Sequence, residues 1–332
     1  MRYRAHWTSA QILAVQSLGP DIRQIDLLPE GGPERFTAGA HLDFRVFVAG
    51  KPEVRSYSLV GRHDPRLPYR VAVKAAPSSR GGSSYMWSLE PGHRIQISQP
   101  QNNFPLTFGR PEYLLLAGGI GITPIYGMAL ELLARGAEVQ LHYGAASRAQ
   151  MAYADDLQVR LGDRVRLYDA SEGDMVDLNA LIGSVTPGVQ LYVCGPMPML
   201  NAAKQIWHAH RMPEPDLRFE TFGASGRFAP QGFQVYLPHL NRTVDVGEHQ
   251  SMLDALTDAG VEVLYDCRKG ECGLCAVDVV ACDGALDHRD LFFSEEQKAV
   301  NDRMCACVSR VVNGGISIDV GYRGEPPVPG RT

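Results

Sequence analysis

Apolar and polar residues alternate along His41-Leu-Asp-Phe-Arg-Val-Phe-Val48 and Tyr69-Arg-Val-Ala-Val-Lys74, the period-two signature of strands with one buried face. This alternation recurs through the first hundred residues and predicts an antiparallel β-barrel. The pattern then changes. Tyr113-Leu-Leu-Leu-Ala117 and Gln190-Leu-Tyr-Val-Cys194 are short apolar runs, suited to strands buried on both faces. With Glu138–Tyr143, Arg164–Tyr168 and the helical stretches between them, they predict a doubly wound parallel α/β sheet. Alternation returns in Gly232–Leu237 and Arg242–Val246, joined by a turn at His239–Asn241. Ser251 then opens a helix, with Asp254 three residues on as a partial capping box; Leu253, Leu256 and Ala259 form its inner face and Gly260 stops it. The chain thus reads as three domains: a barrel over 1–108, an α/β domain over 109–226 and a small sheet domain over 227–332. A linker is expected around Gly223–Pro230.

A length of 332 residues agrees with several cores rather than one. The net charge of −5 points away from nucleic acid and anionic membranes as partners. No apolar run reaches membrane-spanning length, and Met1-Arg-Tyr-Arg-Ala-His6 opens no signal peptide, so a cytoplasmic location is expected. In that reducing compartment the clustered ones among the seven cysteines read as metal ligands before disulfides.

The cysteines carry the strongest chemical signal. Cys267, Cys272 and Cys275 stand at C-x4-C-x2-C, the plant-type spacing for a [2Fe–2S] cluster. Gly270 and Gly273 lie inside the loop, where the backbone can approach the sulfurs and offer N–H groups that stabilise the reduced cluster. Spacing leaves Cys305 and Cys307 both open as the fourth ligand. A zinc site is the alternative, though zinc ligands more often come as two C-x2-C pairs. Cys194 and Cys282 lack such company and read as ordinary thiols.

Upstream, Gly118-Gly-Ile-Gly-Ile-Thr-Pro124 follows an apolar strand, with Thr123 as candidate N-cap and Gly136 as stop. Free N–H groups at such a helix start favour a pyrophosphate, although a glycine turn alone is equally a structural feature. Cys194-Gly-Pro196 makes a second turn after a parallel strand, and two such turns frame a nucleotide crevice. In the barrel, Arg55 and Tyr57 share one strand face. They offer a cation and an aromatic plate, as a phosphorylated flavin requires. Gly81-Gly-Ser-Ser84 precedes a helical stretch and can hold the phosphate.

Together these segments resemble the reductase components of Rieske-type aromatic-ring oxygenases, the phthalate dioxygenase reductase and vanillate demethylase reductase group. The resemblance covers nearly the whole chain. It rests on Arg55-Ser-Tyr-Ser-Leu59, Gly81-Gly-Ser83, Ala117–Pro124, Tyr192-Val-Cys-Gly-Pro196 and the cysteine run, in that order. It implies a flavin barrel, a ferredoxin-reductase-like nucleotide domain and a β-grasp ferredoxin domain. It also implies FMN, NADH and a [2Fe–2S] cluster. Arg55, Tyr57, Ser58, Val73, Lys74, Gly81, Gly82 and Ser83 would contact the flavin. Gly119, Thr123, Cys194, Gly195 and Pro196 would contact the dinucleotide. Ser58 would lie near flavin N5 and Phe222 near the ring. Cys307-Val-Ser-Arg310 resembles the C-x-S-R that carries the last cluster ligand, which selects Cys307. Ser147-Arg148 follows the second parallel strand with no acidic residue at its end, so NADPH stays open beside NADH. The implied partner is a terminal Rieske oxygenase acting on a phthalate-like aromatic acid, docked transiently near Arg268, Lys269 and Glu271. A stand-alone flavin reductase or oxidase, or a non-catalytic iron–sulfur redox sensor, are the competing readings.

Overall fold

The computed structural model describes residues 6–48, 50–75, 81–222, 228, 230–248 and 250–321. It divides into two compact units, Met1–Phe222 and Gly223–Thr332. The segment expected as a linker lies, apart from Phe228 and Pro230, outside the described residues. Among the described residues no helix is long and apolar enough to cross a membrane.

The first sheet has strands β1 (Trp7–Ser17), β2 (Ile22–Pro29), β3 (His41–Val48), β4 (Lys51–Ser58), β5 (Tyr69–Lys74) and β6 (Arg94–Ser98), with helix α1 at Gly82–Trp87. Their order is β4-β3-β6-β1-β2-β5, and the described ladders are antiparallel. The sheet curls until Leu59, just past β4, bridges Val71 in β5. Alternate residues fill the interior: Leu42, Phe44 and Val46 from β3, Ile25 and Leu27 from β2, and Val71 and Val73 from β5. Each such side chain contributes ~1.5–3 kcal/mol by leaving water.

The same unit holds a parallel sheet of β7 (Glu112–Gly118), β8 (Glu138–Ala145), β9 (Val165–Asp169), β10 (Gln190–Cys194) and β11 (Leu217–Glu220). Helices α2 (Ile122–Ala134), α3 (Ala154–Leu161), α4 (Leu178–Gly183) and α5 (Met197–Ala209) alternate with its strands. The order is β11-β10-β7-β8-β9, so the winding reverses between β7 and β10. One face, with Leu115, Leu141 and Tyr192, shares a core with Ile125 and Met128 of α2 and Leu157 of α3. Ile22 and Ala72 of the barrel join that core, which is why barrel and α/β sheet form one unit.

The second unit has β12 (Phe233–Leu237), β13 (Arg242–Val246), β14 (Ala276–Cys282), β15 (Ala285–Asp287), β16 (Arg303–Cys305), β17 (Arg310–Val312) and β18 (Ile316–Asp319), with helices α6 (Met252–Asp258) and α7 (Glu295–Val300). The main sheet runs β13-β12-β18-β14-β16, and β15 pairs β17 beside it. Ser251 caps α6 as expected, its hydroxyl accepting the Asp254 N–H at 3.0 Å. The buried face of α6 is Met252, Leu253, Ala255 and Leu256. Ala259, expected on that face, stands at the C-cap and packs, partly buried, against the same core.

Candidate functional site: flavin face, dinucleotide crevice and cluster loop

On β4, Arg55 and Tyr57 lie side by side, as period two requires. The Tyr57 ring meets Phe44 edge-on at 5.5 Å between centroids. Burial pushes its phenol up to about 12, although the Arg55 cation pulls the other way, so the ring is a neutral plate at working pH. Arg55 is ion-paired with Glu53 and runs across the start of α1. A Cβ on Gly82 would stand 2.6 Å from Arg55 Nε, so only glycine lets the guanidinium reach that turn. Gly81 before it has φ +95°, a conformation that favours glycine. Ser58, at the end of β4, is 4% exposed and its hydroxyl has no hydrogen-bond partner among the described residues. A buried hydroxyl left this way costs free energy unless a ligand satisfies it. The lone Ser58 hydroxyl and the Arg55–Gly82 contact therefore fit a phosphorylated flavin. Lys74 pairs with Asp21 at 3.3 Å. Val73 sends its side chain into the barrel core, and its carbonyl accepts the Trp87 indole N–H at 3.1 Å.

The two glycine turns stand at the carboxyl ends of β7 and β10, the two strands that flank the reversal of winding, where open α/β sheets bind ligands. They touch. A Cβ on Gly121 would be 2.1 Å from the Cys194 carbonyl oxygen, and one on Gly195 would be 3.0 Å from Gly118 Cα. Gly119 has φ +54° and open space where a Cβ would point. A dinucleotide backbone could approach there without meeting a side chain. Thr123 is not the N-cap. A 3-10 turn at Gly119–Gly121 starts the helix early, so Gly121 caps α2. The Thr123 hydroxyl donates to the Ile120 carbonyl at 3.0 Å instead. Helix α2 also closes on the barrel: a Cβ on Gly127 would lie 2.5 Å from the Gly61 carbonyl oxygen, just past β4. The end of β4 and helix α2 are thereby adjacent. Phe222, beyond β11, is 43% exposed and available to cover a ring.

In the second unit Arg268, Gly270 and Gly273 have φ of +54°, +76° and +72°, which wrap the cysteine loop. The Lys269 and Glu271 N–H groups each donate to Cys267 Sγ at 3.4 Å. Neither glycine tolerates a side chain, because a Cβ would meet Asp290 Cα at 2.9 Å from Gly270 and the Phe292 ring at 2.3 Å from Gly273. The thiols fall into groups. Cys267 neighbours Cys272, and Cys275 neighbours Cys305 and Cys307. Hydrogen bonds from those two thiols hold the Cys275 thiol below its ordinary range, while the same contact and burial push Cys307 up. Thiols packed like this cannot all ionise unless a cation lies between them. Among the described residues no three His, Cys, Asp or Glu side chains gather round a single-ion position. A [2Fe–2S] cluster takes its four thiolates two to an iron, and the grouped thiols with their N–H donors fit it. Cys307 lies near Cys267 as well as Cys275 and receives the Gly270 N–H, whereas Cys305 lies in the β16 ladder opposite Ala276.

Beneath the loop is a buried polar network that sequence reasoning missed. Arg289 Nε donates to Asp287 Oδ2 at 2.7 Å, and Arg289 Nη2 donates to the Phe228 carbonyl at 3.0 Å. The Ser309 hydroxyl donates to Asp290 at 3.1 Å. Arg310 reaches the carbonyls of Gln231, Gly247 and Gln250. Ser309 and Arg310 of the C-x-S-R run therefore serve the fold around the cluster. The run Asp287-His-Arg-Asp290 was the available signal, being unusually charged for a segment beside an iron–sulfur loop. Leu264, Tyr265, Leu274 and Phe292, all near the cysteines in sequence or space, are exposed.

The family model for a 2Fe-2S iron-sulfur cluster binding domain matches residues 237–312, and that for an oxidoreductase NAD-binding domain matches residues 115–205. The chain is 33% identical to the carnitine monooxygenase reductase subunit of Acinetobacter baumannii, over 94% of this chain and 97% of that protein. It is 37% identical to the vanillate O-demethylase oxidoreductase of a Pseudomonas species, over 85% of this chain and 90% of that one. The solved structure of phthalate dioxygenase reductase superposes with a TM-score of 0.78 at 28% identity, covering 94% of this chain and 98% of that one.

Proposed function

The chain belongs to the family of NAD- and [2Fe–2S]-binding reductase subunits of multicomponent oxygenases and demethylases, and from that premise we propose how its own residues do the work. It is an oxidoreductase passing electrons from NADH to a partner oxygenase. When bound, FMN supplies conversion of one hydride into two single electrons and the cluster carries them one at a time. Arg55 neutralises the flavin phosphate over Gly82, Tyr57 covers the ring, and the lone Ser58 hydroxyl supplies a hydrogen bond near N5. The touching glycine turns present N–H groups to the pyrophosphate and leave room beside Gly119. Cys267, Cys272, Cys275 and Cys307 ligate the cluster. The observation that carries this reading is the gathering of Cys267 with Cys272 and of Cys275 with Cys307, which also neighbours Cys267, with amide donors on Cys267.

NADH is the dinucleotide we assign, in keeping with the family. Arg148, whose guanidinium pairs with the exposed Asp155 at 2.5 Å and whose backbone N–H donates to Asp169 at 2.8 Å, is the residue at which a preference for a 2′-phosphate would be decided. The acceptor is the Rieske centre of a terminal oxygenase, which itself selects the aromatic acid. Docking on the cluster loop is supported by the exposed Leu264, Tyr265, Leu274 and Phe292. Arg268 is ion-paired with Asp254 and lies 5.2 Å over the Tyr265 ring, so apolar contact, more than charge, marks this face as a small redox interface. A cytoplasmic setting fits the seven free thiols.

Anaerobic titration of the purified protein with NADH tests the reading. Bleaching of a flavin band and a red iron–sulfur band, with about three electrons taken up per chain, is expected. Bleaching of flavin alone would make the protein a plain flavin reductase, and no bleaching would end the reductase assignment. Arg55→Gln is expected to weaken FMN binding about tenfold to a hundredfold, by loss of a charge-assisted contact. Flavin fluorescence on titrating the apoprotein measures it, and an unchanged affinity would remove Arg55 from the site.

A further inference from the structure

Where the barrel meets the loop after β8, one carboxylate oxygen serves two partners. Gln150 Nε2 donates to Asp21 Oδ2 at 2.8 Å, and Lys74 Nζ lies 3.3 Å from the same oxygen. The other oxygen, Oδ1, is buried without a hydrogen-bond partner among the described residues, so Oδ2 carries the described contacts of the carboxylate. Backbone contacts fix both ends. The Asp21 carbonyl accepts the Ala75 N–H at 2.8 Å, which ties Asp21 to the end of β5 that carries Lys74. A Cβ on Gly19 would stand 2.4 Å from the Ala149 carbonyl oxygen, so the turn leading into Asp21 presses on the loop that carries Gln150. Gln150 N–H in turn donates to the Ser147 carbonyl at 3.0 Å, closing the turn that holds Ser147 and Arg148.

We propose that Asp21 is a positioning residue for hydride transfer, joining the loop that takes the adenosine half of NADH to the strand end that takes the flavin. The proposal rests on the placement of both ligands given above. Its two partners carry separable effects. The Gln150 bond fixes the nucleotide turn and needs only an acceptor oxygen. The Lys74 contact needs charge: with Asp21 beside it, the ammonium exerts a reduced field on the flavin, and without it the field favours the electron-rich reduced flavin.

Asp21→Asn separates them, because the amide oxygen can still accept from Gln150 while the charge is gone. In that variant the flavin midpoint potential is expected to shift upward, with the NADH dissociation constant held within about twofold. Asp21→Ala is expected to show the same potential shift and an NADH dissociation constant raised about tenfold. Gln150→Ala should reproduce the affinity loss alone, and Lys74→Met should shift the potential downward alone. Spectroelectrochemistry of the FMN-loaded protein gives the potential, and anaerobic stopped-flow at varied NADH gives the dissociation constant. An Asp21→Asn variant that moves both quantities, or neither, overturns the bridge. If Gln150→Ala and Lys74→Met respond as stated while the Asp21 variants do not, the bridge alone fails. If those two variants are also silent, the ligand placement fails with it.

Discussion

Cys307→Ala is expected to yield a yellow protein that keeps its flavin, still reduces ferricyanide with NADH, and has lost both its red absorption and its reduction of cytochrome c. Ferricyanide can draw on the flavin, whereas the partner-side acceptor needs the cluster. The expectation follows from position. Cys307 neighbours Cys275 and Cys267 and takes the Gly270 N–H, so it closes the ring of thiols around the loop. Cys305, though buried in the same core as Cys275 and Cys307, is held in the β14–β16 ladder opposite Ala276. Cys305→Ala should therefore keep the cluster and cost about 1–2 kcal/mol for a small cavity. Absorption and EPR of the two reduced variants decide it: a cluster surviving in Cys307→Ala and absent from Cys305→Ala would exchange the assignments.

The second large effect is expected at Arg289. Asp287 is 0% exposed and Arg289 7%, and the guanidinium is ion-paired with that carboxylate. Removing one member of a buried ion pair leaves the other charged in a poor solvent, at a cost of about 3–5 kcal/mol. Arg289→Leu should then lower the unfolding midpoint of the cluster unit, followed by visible circular dichroism in urea, while flavin fluorescence reports an unchanged first unit. The double variant Asp287→Leu with Arg289→Leu should recover much of the loss, since replacing both charges is often neutral. A single variant as stable as the parent would show that the pair is not needed.

Much of this was legible in the sequence because it is local. The C-x4-C-x2-C run fixes three thiols within one loop, and Leu42, Phe44 and Val46 alternate as a strand must. The choice between Cys305 and Cys307 was not legible from periodicity, because residues two apart on a strand face the same way. It depends on where the β14–β16 ladder ends, at Cys305, after which the chain turns to meet Gly270. The cap of α2 was misread for a related reason. Thr123-Pro124 has the chemistry of a helix start, but the glycines let the chain coil one turn sooner. Asp21 and Gln150 are joined across more than a hundred residues, and no pattern within either segment announces the contact.

Strand β18 lies at the centre of the cluster unit's sheet, parallel to β12 on one side and antiparallel to β14 on the other. The hairpin β12–β13 and the pair β14–β16 have no ladder to each other without it. While the polypeptide is leaving the ribosome, all four thiols emerge before the strand that unites the sheet. A nascent chain stalled or cut ahead of Ile316 would therefore present its cysteines without the sheet to hold them.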